Sequence, residues 1–211
     1  MQLRLGYPVD PVHFSQHFGV CSGESCEIYK GLGLAGHNGI DFKAVHGQLI
    51  YAAHDGVVTF TGEDSSAGYG VVIRTHERFD YNNKSAYFKT IYWHIMTTGT
   101  RVKAGQSVKR GDIIALADNT GLSTGDHLHF GLKPVYAGER TWEWYNVEQN
   151  NGFKGAIDPT SYFDELTNAS SNQVSSADTV AILGAKEIAK GNTRLANLLF
   201  AIANLIRSFM K

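Results

Sequence analysis

The stretch HLHF, residues 127–130, decides how this chain is read. In an extended strand, side chains two apart project to the same face. His127 and His129 are therefore expected side by side. Two further stretches join them, HNGID at 37–41 and YWHI at 92–95. His37 and Asp41 stand four apart across Gly39, and glycine permits a turn or a close backbone approach there. Taken singly, each histidine reads as a hydrogen-bonded surface or core residue. Taken together, histidines and a carboxylate at short range are a common zinc donor set.

Around these stretches the chain reads as β-rich over residues 1–165. LIYAA, GVVTFTG, YGVVIRT, YFKTIYWHI, DIIALA and HLHFGLK are short runs of β-branched and aromatic residues punctuated by glycine-containing turns. Such spacing predicts a mainly β fold, an antiparallel sandwich or barrel-like core. Three segments are expected as loops around a groove: glycine-rich 21–36, polar 77–86, and 136–156 with Trp142, Trp144 and Tyr145. Aromatic rings on long loops can line a substrate cleft, or pack beneath their own loop.

The length of 211 residues suits one domain plus an appendage. A hydrophobic share of 43% sustains a core, and a net charge of -1 offers no basic field to nucleic acid. No stretch is long and apolar enough to span a bilayer. MQLRLGYPVD has no apolar segment of a secretory signal before Pro8. The expectation is a mature form, or an enzyme released by lysis, as a phage-encoded one would be. Cys21 and Cys26 in CSGESC either close a local disulfide in an oxidising compartment or remain thiols.

After Phe163 the composition changes. Residues 166–177 read as a polar linker and 178–211 as a helical tail. Leu195, Leu198, Leu199, Ile202, Leu205, Ile206 and Phe209 recur at three- and four-residue steps and make one apolar face. That face is expected to dock on its own domain or on a sister chain, or to rest on an anionic membrane.

HNGID, YWHI and HLHF resemble the motifs of the lysostaphin-type zinc metallopeptidases, which cut peptide cross-links of bacterial cell walls. The resemblance runs from YPVDPV at 7–12 to IDPTSYF at 157–163. It includes FSQHFG (14–19), YAAHDGVV (51–58), GYGVVIRTH (68–76), VKAGQSVKRGDIIA (102–115) and NTGLSTGDHLHF (119–130). It implies zinc held by His37, Asp41 and His129, with His94 and His127 as the catalytic pair. It implies peptidoglycan as substrate, met outside the cytoplasm or after lysis. The sequence departs from the pattern at Val20 and Cys21, where an Arg is frequent, at Gly131, where an acidic residue is usual, and at Trp93, where a small residue is common. None of these is a ligand in that pattern.

Other readings fit less well. VKAGQSVKRGDIIA is also a hairpin pattern of lipoyl- and biotinyl-type domains, with Lys103 and Lys109 at its turns, but that reading has no place for the histidines. Ser123 or Thr124 near His127 suggests a Ser/His hydrolase, yet no strand–GxSxG–helix context surrounds them. GLGLAG lacks the Lys-Ser/Thr ending of a phosphate loop, and no HExxH is present. A relative without activity, which binds the wall or activates a partner hydrolase, would be expected to have lost ligands. Here all five site residues stand in place.

Overall fold

A computed structural model describes residues 1–137, 144–165, 180–181, 183–184, 187 and 190–209, with the side chains of Trp144 and Arg207 left out. Trp142 and the linker 166–177 lie outside the described residues. The fold is mainly antiparallel β, as the strand pattern predicts. A large sheet runs β1 (Phe14–Gln16), β2 (Ile40–Lys43), β10 (His127–Ala137), β7 (Lys84–Trp93), β5 (Gly68–Thr75), β4 (Gly56–Asp64) and β8 (Ser107–Val108). β6 (Phe79–Tyr81) adds to β7, and β11 (Trp144–Asn146) adds to β10. A separate pair joins β3 (Leu49–Tyr51) to β9 (Ile113–Leu116).

β10 organises the sheet. It pairs with β2 through residues 127–130 and with β7 through residues 129–135. Period-two alternation sends Leu128, Phe130 and Leu132 into the core with Phe42, Phe88 and Tyr92. Leu5 and Phe163, bridged to each other, pack on the same core. The opposite face of β10 then carries His127, His129 and Lys133.

A small polar network stands inside the core. His54 Nδ1 donates to the Asp55 carbonyl at 2.9 Å, and His54 Nε2 bonds Thr90 Oγ1 at 2.9 Å. Thr90 Oγ1 bonds the Tyr92 hydroxyl at 3.0 Å, and that hydroxyl accepts the Ala53 N–H. Every buried polar side chain in this chain of bonds has a partner, as low-dielectric surroundings demand.

Two of the expected groove loops are regular structure. Within 21–36, Gly23–Gly31 forms helix α1, because residues 24–30 contain no glycine and Gly33 ends the turn with φ 73°. Within 77–86, β6 and β7 form a hairpin around Asn82 and Asn83. Both asparagines have positive φ, 51° and 62°, as a two-residue type I′ turn requires. The structure also pairs Cys21 with Cys26 as a disulfide.

The C-terminal helix α2 (Thr193–Phe209) docks on the β3–β9 pair, but not by the expected stripe. Ala196, Phe200 and Ala203 are buried against Leu49, Ile113 and Leu116. Leu195, Leu198, Ile202, Leu205 and Phe209 are exposed. The alanines let the helix approach closely, and Asn204 answers an open strand edge. Its Oδ1 accepts the Ile113 N–H at 3.0 Å and its Nδ2 donates to the Ile113 carbonyl.

Candidate metal centre and cleft

Three elements bring the ligand candidates together. Asp41 on β2 and His129 on β10 are direct register partners. His37 precedes β2 and is fixed by two backbone bonds, His37 N–H to the Val20 carbonyl and Gly19 N–H to the His37 carbonyl. The turn through Asn38 and Gly39 carries it over the strand. A Cβ on Gly39 would stand 2.7 Å from His129 Cε1 and 2.5 Å from the Phe130 carbonyl oxygen, so only glycine fits there.

The ligand atoms form a triangle. His37 Nε2 lies 2.9 Å from His129 Nδ1 and 3.0 Å from Asp41 Oδ1, and His129 Nδ1 lies 3.1 Å from Asp41 Oδ1. Ligands of a tetrahedral zinc stand roughly 3.3 Å apart, given metal–ligand bonds near 2.0–2.1 Å. A few tenths of an ångström of opening would admit the ion. The protons argue the same way. His37 Nδ1 is 3.1 Å from the His17 carbonyl and donates to it, which leaves Nε2 as a bare acceptor facing a carboxylate oxygen. One proton on His129 cannot serve both neighbours, whereas a cation serves all three.

Burial pushes the Asp41 carboxyl up, but the close contact of its Oδ1 with the His129 and His37 rings outweighs it and holds the group well below the usual carboxylate range. Burial pushes His129 down in spite of Asp41. A charged carboxylate beside a neutral imidazole is the state that metal binding needs.

The other two histidines flank this triangle. His94 and His127 stand with ring centroids 4.6 Å apart. His94 Nδ1 donates to the Thr120 carbonyl at 2.7 Å, and His127 Nδ1 donates to the Gly125 carbonyl at 2.8 Å. Each ring therefore keeps Nε2 as an acceptor on its other side. His127 Nε2 is 3.8 Å from Asp41 Oδ2. Burial holds His94 down to about 4, so its imidazole is neutral near pH 7. His94 also has φ 63°, a conformation uncommon for a side-chain-bearing residue and concentrated at functional sites. Ser123 Oγ donates to the Gly125 carbonyl at 2.9 Å, which occupies the proton a Ser/His hydrolase would pass to its histidine.

All five histidine and aspartate candidates line one cleft. One wall is α1 and the residues after it, with Tyr29 and Leu32; the other holds Asp64, Ser66, Leu122 and Thr124. Tyr29 stacks on His37 at 5.6 Å and donates its hydroxyl to Gln16 Oε1. Trp93 lies on the floor, and Gly70 makes room for it, since a Cβ there would meet the indole at 1.9 Å. The hairpin at 77–86 takes no part in the lining, whereas the turn at 64–67 does. Lys133 and Lys154 also line the cleft and were not singled out in the sequence. Lys133 continues the period of His127 and His129 by two further steps, a signal that was legible.

Residues 35–141 match the sequence profile of peptidase family M23. The peptidoglycan DD-endopeptidase ShyA of Vibrio cholerae is 40% identical over 108 residues, 49% of this chain and 23% of ShyA. The curated relatives are much longer, and the chain covers between 18% and 32% of their length. A crystal structure of a zinc-containing peptidase from Vibrio cholerae is 30% identical, with a TM-score of 0.50 over 69% of this chain and 39% of that one. The catalytic domain of lysostaphin from Staphylococcus simulans shares the fold, at 20% identity and a TM-score of 0.52 over 72% of this chain and 91% of that domain. With half of its residues in that profile, the chain belongs to peptidase family M23.

Proposed function

We propose that this chain is a zinc-dependent endopeptidase that hydrolyses peptide bonds of bacterial peptidoglycan. The observation that carries the reading is the acceptor triangle of His37, Asp41 and His129 beside two histidines that each keep Nε2 free. In this reading His37, Asp41 and His129 hold the ion. Zinc, when bound, makes water more acidic and polarises a carbonyl. His94 and His127 move the protons: one accepts a proton from the attacking water at Nε2, and the other stabilises the oxyanion or protonates the leaving amine. The carbonyls of Thr120 and Gly125 hold the Nδ1 proton on both rings, so Nε2 is the atom that takes up a proton in the base. The ring that serves the oxyanion or the amine acts as the imidazolium, with its second proton on Nε2.

Two further observations support the substrate and the place of action. ShyA bears the name of a peptidoglycan DD-endopeptidase. The Cys21–Cys26 disulfide suits an oxidising compartment, which is where peptidoglycan is found.

The test is digestion of purified peptidoglycans of several chemotypes by the zinc-loaded protein, with product masses read out. New amine and carboxyl ends at a peptide bond are expected. His129→Ala should lose zinc and activity together. His94→Ala and His127→Ala should keep the metal and lose about 100- to 10,000-fold in turnover. Full zinc retention in His129→Ala would overturn the ligand assignment. Absence of product from every chemotype would favour a wall-binding relative instead.

A further inference from the structure

Two lysines, Lys133 and Lys154, line the cleft besides the metal-ligand candidates. β10 alternates, so His127, His129, Gly131 and Lys133 share one face. Lys133 lies four residues beyond His129, roughly 13 Å along the strand. Gly131 stands between them and contributes no side chain, although a Cβ there would find only ordinary contacts, the nearest to Ile91 at 3.5 Å. The floor is therefore open from the metal ligands to the Lys133 ammonium.

A second ammonium is brought to the same place by a constrained loop. Lys154 has φ 52°, which costs a side-chain-bearing residue on the order of 1 kcal/mol or more. The loop is held in that shape from several sides. Asn151 Oδ1 accepts the N–H groups of Phe153 and Gly155, Asn151 Nδ2 donates to the Ala156 carbonyl, and Asn146 Nδ2 donates to the Lys154 carbonyl. Phe153 is packed on Phe18 at 4.5 Å.

Among the described residues the Lys133 ammonium makes no ion pair, whereas Lys154 feels the Asp64 carboxylate at longer range. Asp64 Oδ1 accepts the N–H groups of Ser66 and Ala67 and the Ser66 hydroxyl, so this carboxylate stays charged but is fixed in its own turn and does not pair with Lys133. Lys89 stands directly opposite Lys133 on β7, and like charges in that relation are unfavourable. Burial, with Lys89 and Lys154 close by, pushes Lys133 down to about 8. A half-buried cation beside other cations is the arrangement that an arriving anion would relieve.

We infer that Lys133 and Lys154 form a carboxylate-recognition subsite, which selects stem peptides with a free carboxylate over neutral glycine bridges. The inference rests on the peptidase reading above and names the substrate class of that same cleft. The distance from the triangle places the carboxylate three to four residues from the scissile bond of an extended substrate.

The experiment uses two synthetic peptides that differ only in carrying a free carboxylate or a carboxamide at that distance. Zinc-loaded wild-type protein should cleave the acid with a kcat/KM roughly 10- to 100-fold above that of the amide, and the difference should lie in KM. In Lys133→Met the ratio should collapse toward one, in Lys133→Arg it should be largely restored, and Lys154→Met should lower it in part. Equal cleavage of acid and amide by wild type, or an unchanged ratio in both Met variants, would overturn the subsite. If neither peptide is cleaved, the peptidase reading falls, and calorimetry still decides the subsite. Tighter binding of the acid by wild type, lost in Lys133→Met, would support it. Equal affinities would sink it.

Discussion

At the scale of single residues, the triangle of His37, Asp41 and His129 depends on what is absent as much as on its donor atoms. Gly39 is the sharpest case, because its missing Cβ is the space that the His129 ring occupies. Gly39→Ala should therefore displace either the ring or the HNGID turn, without touching a ligand. We expect zinc affinity to fall by about 10- to 100-fold, the range seen when a group that orients a ligand is lost. Competition with a chromophoric chelator would measure it, and unchanged affinity would mean that the turn yields freely. That these histidines and Asp41 gather was legible in the sequence, since spacing of two on a strand and four across a glycine place donors on one side, while the choice of His37, Asp41 and His129 as ligand candidates is what the family resemblance implies. The groups that hold their tautomers were not. The carbonyls of His17, Thr120 and Gly125 are backbone atoms, which any residue could supply, so nothing in residue type announces them.

At the scale of elements, α1 forms a wall of the cleft yet buries none of its residues. Its N-cap Ser22 makes no side-chain capping bond. A nine-residue helix is too short to persist in water by propensity alone. The Cys21–Cys26 disulfide and the Tyr29–Gln16 bond must therefore hold it in place. Reduction, or Cys26→Ser, should fray α1 while the sheet survives. Amide exchange over residues 24–31 should accelerate by at least about tenfold, with strands β7 and β10 still protected. Uniform protection would show that packing alone suffices. This helix was misread as a loop because glycines at both ends dominated its composition. α2 was predicted as a helix with an apolar stripe, and the helix is there. Its contact face differs because the β3–β9 edge selects small alanines and a bidentate asparagine over the leucines.

At the scale of the whole molecule, stability is tied to pH through a group far from the cleft. His54 is fully enclosed, and burial pushes it down to about 4, with His76 adding to the shift and Asp55 opposing it. The unfolded chain binds this proton near 6.5. Between about pH 6.5 and 4 the unfolded state thus holds more protons than the native state, and stability rises with pH. The stabilisation is complete above about 6.5 and is lost as pH falls toward 4, by up to about 3 kcal/mol. Denaturant titrations of wild type and His54→Gln at pH 7 and 4.5 would measure it. A variant with the same loss on acidification would remove His54 from the account.

The sequence by itself determined the β-rich architecture, the family and the candidate ligands. The first is carried by periodicity, and the other two by the resemblance of short motifs to a known family, and both survive without knowledge of distant neighbours. Only the tertiary structure decided which segments face one another. It set Lys154 beside Lys133, Gly70 beneath Trp93, and Ala196 rather than Leu195 against the core. These pairings join residues far apart in the chain. They are settled by how whole surfaces pack, a competition among many contacts that no short stretch encodes.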